Sequence, residues 1–185
     1  LVGVKKCLDH LSDLLSDPNG PQIIALEGIG GIGKTSLANE LVRKLIETDM
    51  VGVGQFAYCA WVTARTMGLS IGGQRQQLAT ADVTSQSMID SIYAQVFAEE
   101  GRPIGLEPKQ IFSVLKYRLA EQPHLIVVDN LETVTDVASL FDTLRQLVNP
   151  SRVIVTKRVT RFDEPAGYHG VVPGLRDESS MTGGR

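Results

Sequence analysis

Cysteine is scarce in this 185-residue chain: Cys7 and Cys59 stand alone, which excludes a disulfide framework and a cysteine metal cluster. Cys7 falls on the apolar face of a predicted helix and Cys59 in a predicted strand. Both are expected as small buried hydrophobes in a reducing, cytoplasmic setting. No apolar run approaches the length of a membrane span, and the N-terminus lacks the charged-then-apolar layout of a signal peptide. Neither sign of charge is in excess. The 18 Lys and Arg against 21 Asp and Glu leave a net charge of −3, which offers no general affinity for nucleic acid or a membrane surface. Internal repeats are absent too. What is present is 43% hydrophobic and 21% charged residues, ordinary proportions for one globular domain with a core of its own.

The chain starts at Leu1 rather than Met and so reads as a fragment. Residues 1–175 are expected to form one domain. Residues 176–185 are polar and glycine-containing without periodicity, and read as a disordered tail or an added stretch. Along the domain, Val4, Cys7, Leu8, Leu11, Leu14 and Leu15 predict a helix over 4–15, broken by Asp17-Pro18-Asn19-Gly20-Pro21. A short buried strand is predicted over 22–27 and a second over Phe56 to Val62. Between them Leu37, Leu41 and Leu45 repeat at four-residue spacing. Residues 66–86 are polar and glycine-rich and predict a surface loop. Met88, Ile89, Ile92, Val96 and Phe97 form a helical stripe, and Pro108 opens another helix. Leu125 to Val128 is a continuous apolar strand, as expected at the centre of a parallel sheet. A helix through Leu140 and Leu144 follows, then strands at Val153-Ile154-Val155 and Gly170-Val171-Val172. This alternation predicts a doubly wound α/β layer structure.

The segment Gly28-Ile29-Gly30-Gly31-Ile32-Gly33-Lys34-Thr35 fits the phosphate-binding pattern G-x-x-x-x-G-K-S/T in full, between a predicted strand and a predicted helix. Its glycines let the backbone take positive φ and turn N–H groups inward around an anion. Lys34 would bring a charge to the outer phosphates, and the Thr35 hydroxyl can ligate Mg²⁺. Ser36 continues the run into the helix N-terminus, where unpaired N–H groups favour negative charge. Nucleotide contacts are therefore expected along residues 28–36.

Asp129 ends the apolar strand at its C-terminal edge, where open α/β sheets bind ligands. It is placed to be a carboxylate partner for Mg²⁺, although an Asp also commonly just ends a strand. Val153 to Val155 runs into Thr156, Lys157 and Arg158. If that strand lies between the loop strand and the Asp129 strand, Arg158 points at a γ-phosphate; the alternative is a solvated basic turn.

Taken together, these blocks resemble the nucleotide-binding domain of the STAND class of P-loop ATPases, in particular the NB-ARC group of apoptotic, plant-resistance and bacterial signalling switches. Leu1-Val2-Gly3, the 28–35 loop, Leu125 to Asp129 and Thr156-Lys157-Arg158 match in order, and Trp61-Val62-Thr63 resembles a further strand, over about residues 1–175. The resemblance implies a three-layer sandwich around a five-stranded parallel sheet of order 5-1-4-3-2. It implies that Val2 backbone groups lie near adenine, that Lys34, Thr35 and Asp129 serve phosphates and Mg²⁺, and that Arg158 senses the γ-phosphate. It also implies helical lid, winged-helix and sensor-repeat domains beyond residue 175, and a possible homo-oligomer on activation. Two departures stand out. Gly3-Val4 replaces the family's frequent Gly-Arg, and Asp129-Asn130 replaces two consecutive acids. Asn130 cannot act as a general base. Glu132 is the nearest alternative carboxylate, or else a solvated or helix-capping residue.

The expected function is thus an ATP/ADP switch with slow Mg²⁺-dependent hydrolysis. The rivals are a module whose nucleotide is purely structural, and another P-loop ATPase or kinase.

Overall fold

The computed structural model describes residues 2–64, 83–98, 101 and 104–158. Helix α1 spans Val2–Ser16, strand β1 Ile23–Gly28, α2 Lys34–Glu47, β2 Tyr58–Thr63, α3 Ser85–Val96 and α4 Pro108–Glu121. Strand β3 spans His124–Asp129, a 3₁₀ turn Leu131–Thr133, α5 Val137–Leu147 and β4 Arg152–Arg158.

All four described strands are parallel, in the order β1-β4-β3-β2. Strand β4 therefore lies between β1 and β3, as the resemblance implies. The fifth strand expected at Gly170-Val171-Val172, the bulk of the 66–86 loop and the 176–185 tail lie outside the described residues.

Alternation along the strands divides the core into two layers. Ile24, Leu26, Leu125, Val127 and Ile154 face α1 and α2, where they meet Leu11, Leu15, Leu41 and Leu45. Their neighbours Ile23, Ala25, Ile126, Val128, Val153 and Val155 face α3, α4 and α5. Strand β3 is buried at every position, which explains its unbroken apolar run.

Several boundaries differ from expectation for local reasons. The first helix begins at Val2 rather than residue 4. Residues 83–86 do not belong to a loop. Val83 bridges to Val134, and Thr84 caps α3 through a reciprocal hydrogen-bond box with Ser87, so the helix starts at Ser85. Phe56 precedes β2 rather than opening it: it bridges to Val51 and is fully buried beneath the turn after α2. Cys7 and Cys59 are free and half-buried rather than buried, and burial pushes the Cys59 thiol up to about 11. The outer edge of β2 is covered at Trp61, whose N–H donates to Gln95 Oε1 at 2.7 Å while Gln95 Nε2 donates to the Trp61 carbonyl. A side-chain amide from α3 thus stands in for a neighbouring strand.

The N-terminal ends of the strands are tied to the end of α1. Gln55 Nε2 donates to the Leu15 carbonyl at 3.0 Å, and the buried Arg152 donates to the Pro18 carbonyl at 3.0 Å. The first satisfies a carbonyl that the helix terminus leaves open, and the second holds the turn just beyond it.

His124, at the start of β3, is 1% exposed. Its Nδ1 lies 2.6 Å from the Gln122 carbonyl, and its Nε2 is buried without a partner. Burial, joined by the nearby Arg118 charge, holds this imidazole below its usual range, against the opposing Gln122 carbonyl. The folded state therefore binds the proton more weakly than the unfolded chain does. This contribution to stability is complete above about pH 6.5 and is lost as pH falls below it. We expect urea midpoints to drop between pH 7.5 and 5.5, and the drop to shrink in His124→Phe; an equal drop in both proteins would refute this.

Candidate functional site

Strand β1 ends at Gly28 and α2 begins at Lys34, so residues 29–33 must reverse the chain in a tight turn. The glycines of this loop divide the work. Gly31 and Gly33 have φ of +80° and +95°, conformations that L side chains rarely adopt, and Gly33 is the N-cap of α2. Gly28 and Gly30 serve close approach instead. A Cβ at Gly28 would sit 2.9 Å from Ile32 Cγ2, and one at Gly30 3.3 Å from the guanidinium carbon of Arg158. The expectation of positive φ throughout the loop is thus corrected to two positions, with packing against Ile32 and Arg158 accounting for the others. Ile29 projects to solvent.

The loop borders a cavity of about 310 Å³. Gly30, Gly31, Gly33, Lys34, Thr35 and Ser36 form one wall, and Asp129, Asn130, Glu132, Thr156 and Arg158 the other. Lys34, Thr35 and Ser36 are the first three residues of α2, whose leading N–H groups have no partner within the helix. Lys34 Nζ donates to the carbonyls of Gly28 at 2.9 Å and Ile29 at 3.0 Å, and so is folded over the loop.

Strand register carries the other wall into place. Arg158 pairs across with Gly28, and Thr156 with Leu26, on β1. Thr35 Oγ1 donates to Asp129 Oδ1 at 2.8 Å, and Thr156 Oγ1 donates to the same oxygen at 2.6 Å. Thr156 is 1% exposed and also accepts the Asn130 N–H at 2.9 Å. Asn130 turns the chain at φ 67°, a left-handed conformation that Asn tolerates better than most residues. Glu132, in the 3₁₀ turn that follows, is neither solvated nor a helix cap. Its Oε1 lies 3.0 Å from Arg158 Nε, and its Oε2 is buried without a hydrogen-bond partner.

Of the expected site residues, Gly30, Gly31, Gly33, Lys34, Thr35, Ser36, Asp129, Glu132 and Arg158 line one cavity. Gly28, Ile29 and Ile32 shape the loop behind it. Val2 opens α1, where its backbone N–H has no helical partner. From sequence, Thr156 is only a hydroxyl at a strand end. The signal for more is its polarity directly after the apolar run Val153-Ile154-Val155.

Such a cavity, at the C-terminal edge of a parallel sheet between a glycine loop and two neighbouring strand ends, defines the P-loop ATPase architecture. Within that class the chain belongs to the NB-ARC domain family, whose profile matches residues 4–172. A putative late blight resistance protein homolog of Solanum demissum is 28% identical over 173 residues, covering 92% of this chain and 11% of that protein. A second such homolog from the same plant is 27% identical over 173 residues, 92% of this chain and 19% of that protein. The chain therefore spans a small part of the relatives it matches. Among solved structures, Drosophila ORC bound to DNA superposes with a TM-score of 0.56 at 15% identity, over 85% of this chain and 37% of that one. The Aeropyrum pernix ORC2 protein, solved as ADPNP and ADP complexes, superposes at 0.51 with 19% identity, over 85% of this chain and 40% of that one. At these identities the likeness is one of fold.

Because Thr156 bonds both Asp129 and Asn130 from a fully buried position, Thr156→Val should cost about 1–3 kcal/mol of stability by leaving the Asn130 N–H and one Asp129 bond unmet. Thr156→Ser should recover most of that loss. Denaturant unfolding of the three proteins checks this, and a Val variant as stable as wild type would refute it.

Proposed function

We propose that this domain binds ATP or ADP at residues 28–36 as the switch element of a STAND-type signalling ATPase, with slow Mg²⁺-dependent hydrolysis. The carrying observation is the meeting of the Thr35 hydroxyl with the Asp129 carboxylate at 2.8 Å, on the lip of the glycine-loop cavity.

The residues present suit the family's metal. Among the described residues no three His, Cys, Asp or Glu cluster together. Mg²⁺ is commonly held by one or two carboxylates with phosphate oxygens and waters, so it needs no such cluster. Thr35 donates its proton to Asp129 and keeps its oxygen lone pairs for a hard cation. When bound, the ion would neutralise charge on the outer phosphates.

The remaining chemistry belongs to the chain. The first N–H groups of α2 and of the loop would cradle the phosphates, and Lys34 would leave the Gly28 and Ile29 carbonyls for their oxygens. Arg158, reaching from the end of β4, would meet the terminal phosphate. The free N–H at the start of α1, at Val2, would serve the adenine ring. Since Asn130 cannot take a proton, Glu132 is the carboxylate for a hydrolytic water. Hydrolysis so arranged would be slow, and the two ligand states would differ in what they offer Arg158.

In the full-length protein, helical lid, winged-helix and sensor-repeat domains would read that difference, with homo-oligomerisation on activation, in the cytoplasm. Among the described residues no helix is long and apolar enough to cross a membrane. One observation favours a second reading, a nucleotide held structurally without turnover: Asn130 where the family often has an acid. Phosphate release abolished by Glu132→Gln supports the switch enzyme, and no release from wild type in a longer chain supports the structural reading.

Lys34→Ala tests the site itself. Charge-assisted hydrogen bonds of about 1.5–3 kcal/mol correspond to a loss of roughly 10- to 100-fold in ATP affinity. The far-UV spectrum should be unchanged, because Lys34 bonds only to its own loop. An undiminished ATP titration would overturn the assignment.

A further inference from the structure

The pairing of Glu132 with Arg158 bears on how the proposed site would tell three phosphates from two, and it rests on that reading of the cavity. Arg158 is the outermost residue of β4, with its side chain 58% exposed, yet it does not extend into solvent. It lies back across the glycine loop, close enough to Gly30 that a Cβ there would press on the guanidinium carbon at 3.3 Å and on Nε at 3.4 Å. Glu132 holds it there through Oε1 to Nε at 3.0 Å, with its own side chain 19% exposed.

The pair is one-sided. Glu132 Oε2 is shut off from solvent without any hydrogen-bond partner, so the fork geometry that makes Arg–carboxylate pairs strong is not used. A buried carboxylate oxygen left unmet is costly, and a monodentate, half-exposed pair returns little. Such a bond is easily exchanged for a better anion.

We propose that Glu132 acts as an internal stand-in for the terminal phosphate. It occupies Arg158 in the ligand-free site, and a nucleoside triphosphate displaces it, whereas a diphosphate leaves the pair closed. Discrimination then comes from exchange of one anion for another on a single guanidinium. The exchange also has a second consequence. While Glu132 is bound to Arg158 its Oε1 is engaged, so the carboxylate becomes available to a water only after a third phosphate has claimed the arginine. Sensing and activation are thereby one event.

The proposal makes Glu132 a specificity determinant working through Arg158, and a double-mutant cycle isolates that coupling. A non-hydrolysable ATP analogue keeps turnover out of the measurement. Calorimetric titration of this analogue and of ADP, each with Mg²⁺, is made on the wild-type chain, Glu132→Gln, Arg158→Gln and the double variant. Glu132→Gln is expected to tighten the analogue about 3- to 5-fold and to leave ADP within about 2-fold, the upper range of a partly exposed ion pair. In the Arg158→Gln background the same change should do nothing. Equal tightening of both nucleotides, or an effect that persists without Arg158, would mean simple charge repulsion and would overturn the stand-in. A wild-type chain that binds neither nucleotide would instead overturn the reading of the cavity as a nucleotide site.

Discussion

One carboxylate oxygen joins the three parts of the candidate site. Asp129 Oδ1 accepts the Thr35 hydroxyl from the start of α2 and the Thr156 hydroxyl from β4, while its own backbone ends β3. The residue is 8% exposed, so the bonds form largely out of water and hold their partners closely. This junction requires the strand order seen here. With β4 inserted between β1 and β3, Thr156 reaches Asp129 from one side and Arg158 stands beside Gly28 on the other. Exchange β4 for any other neighbour and the loop, the acid and the arginine no longer share a cavity.

The two ends of the sheet are built for different purposes. At the C-terminal edge, side chains hold one another by hydroxyl–carboxylate and ion-pair contacts around open space. At the N-terminal edge, Gln55 and Arg152 fasten the end of α1 to the sheet, and His124 Nδ1 turns back onto the Gln122 carbonyl. The contrast follows from parallel topology. Every strand delivers its last residue to the same side, so chemistry gathers there, and the opposite side can be closed by packing and local hydrogen bonds. Two core layers, one against α1 and α2 and one against α3, α4 and α5, keep the strands from sliding and hold that edge in register.

Much of this was legible from residue pattern. Four-residue apolar spacing gave α2, an unbroken apolar run gave β3, and the glycine loop between β1 and α2 announced its own chemistry. What was less legible arises from contacts between distant positions. Glu132 and Arg158 meet only because β3 and β4 are neighbours, and nothing local to either residue signals the other. The start of α3 was obscured because Thr84 and Ser87 look like loop residues until they cap a helix. Phe56 reads as a strand residue by composition but is used to fill the space under a turn. In each case tertiary pairing settled what local propensity left open.

The substitution of Asn130 for a second acid looks different once its backbone is considered. The position turns the chain at φ 67° and gives its N–H to Thr156, so its first duty is conformational. Asn is among the residues that take this left-handed turn at least cost. The turn then carries Glu132 two residues onward to the cavity wall, opposite the start of α2. A carboxylate is therefore still delivered to the site, displaced along the chain rather than lost. Its reach comes with an obligation absent from a residue directly after Asp129, because from this position it also meets Arg158. The departure in sequence and the ion pair in structure are thus two aspects of one arrangement, in which the acid and the arginine are paired on the cavity wall that faces the glycine loop.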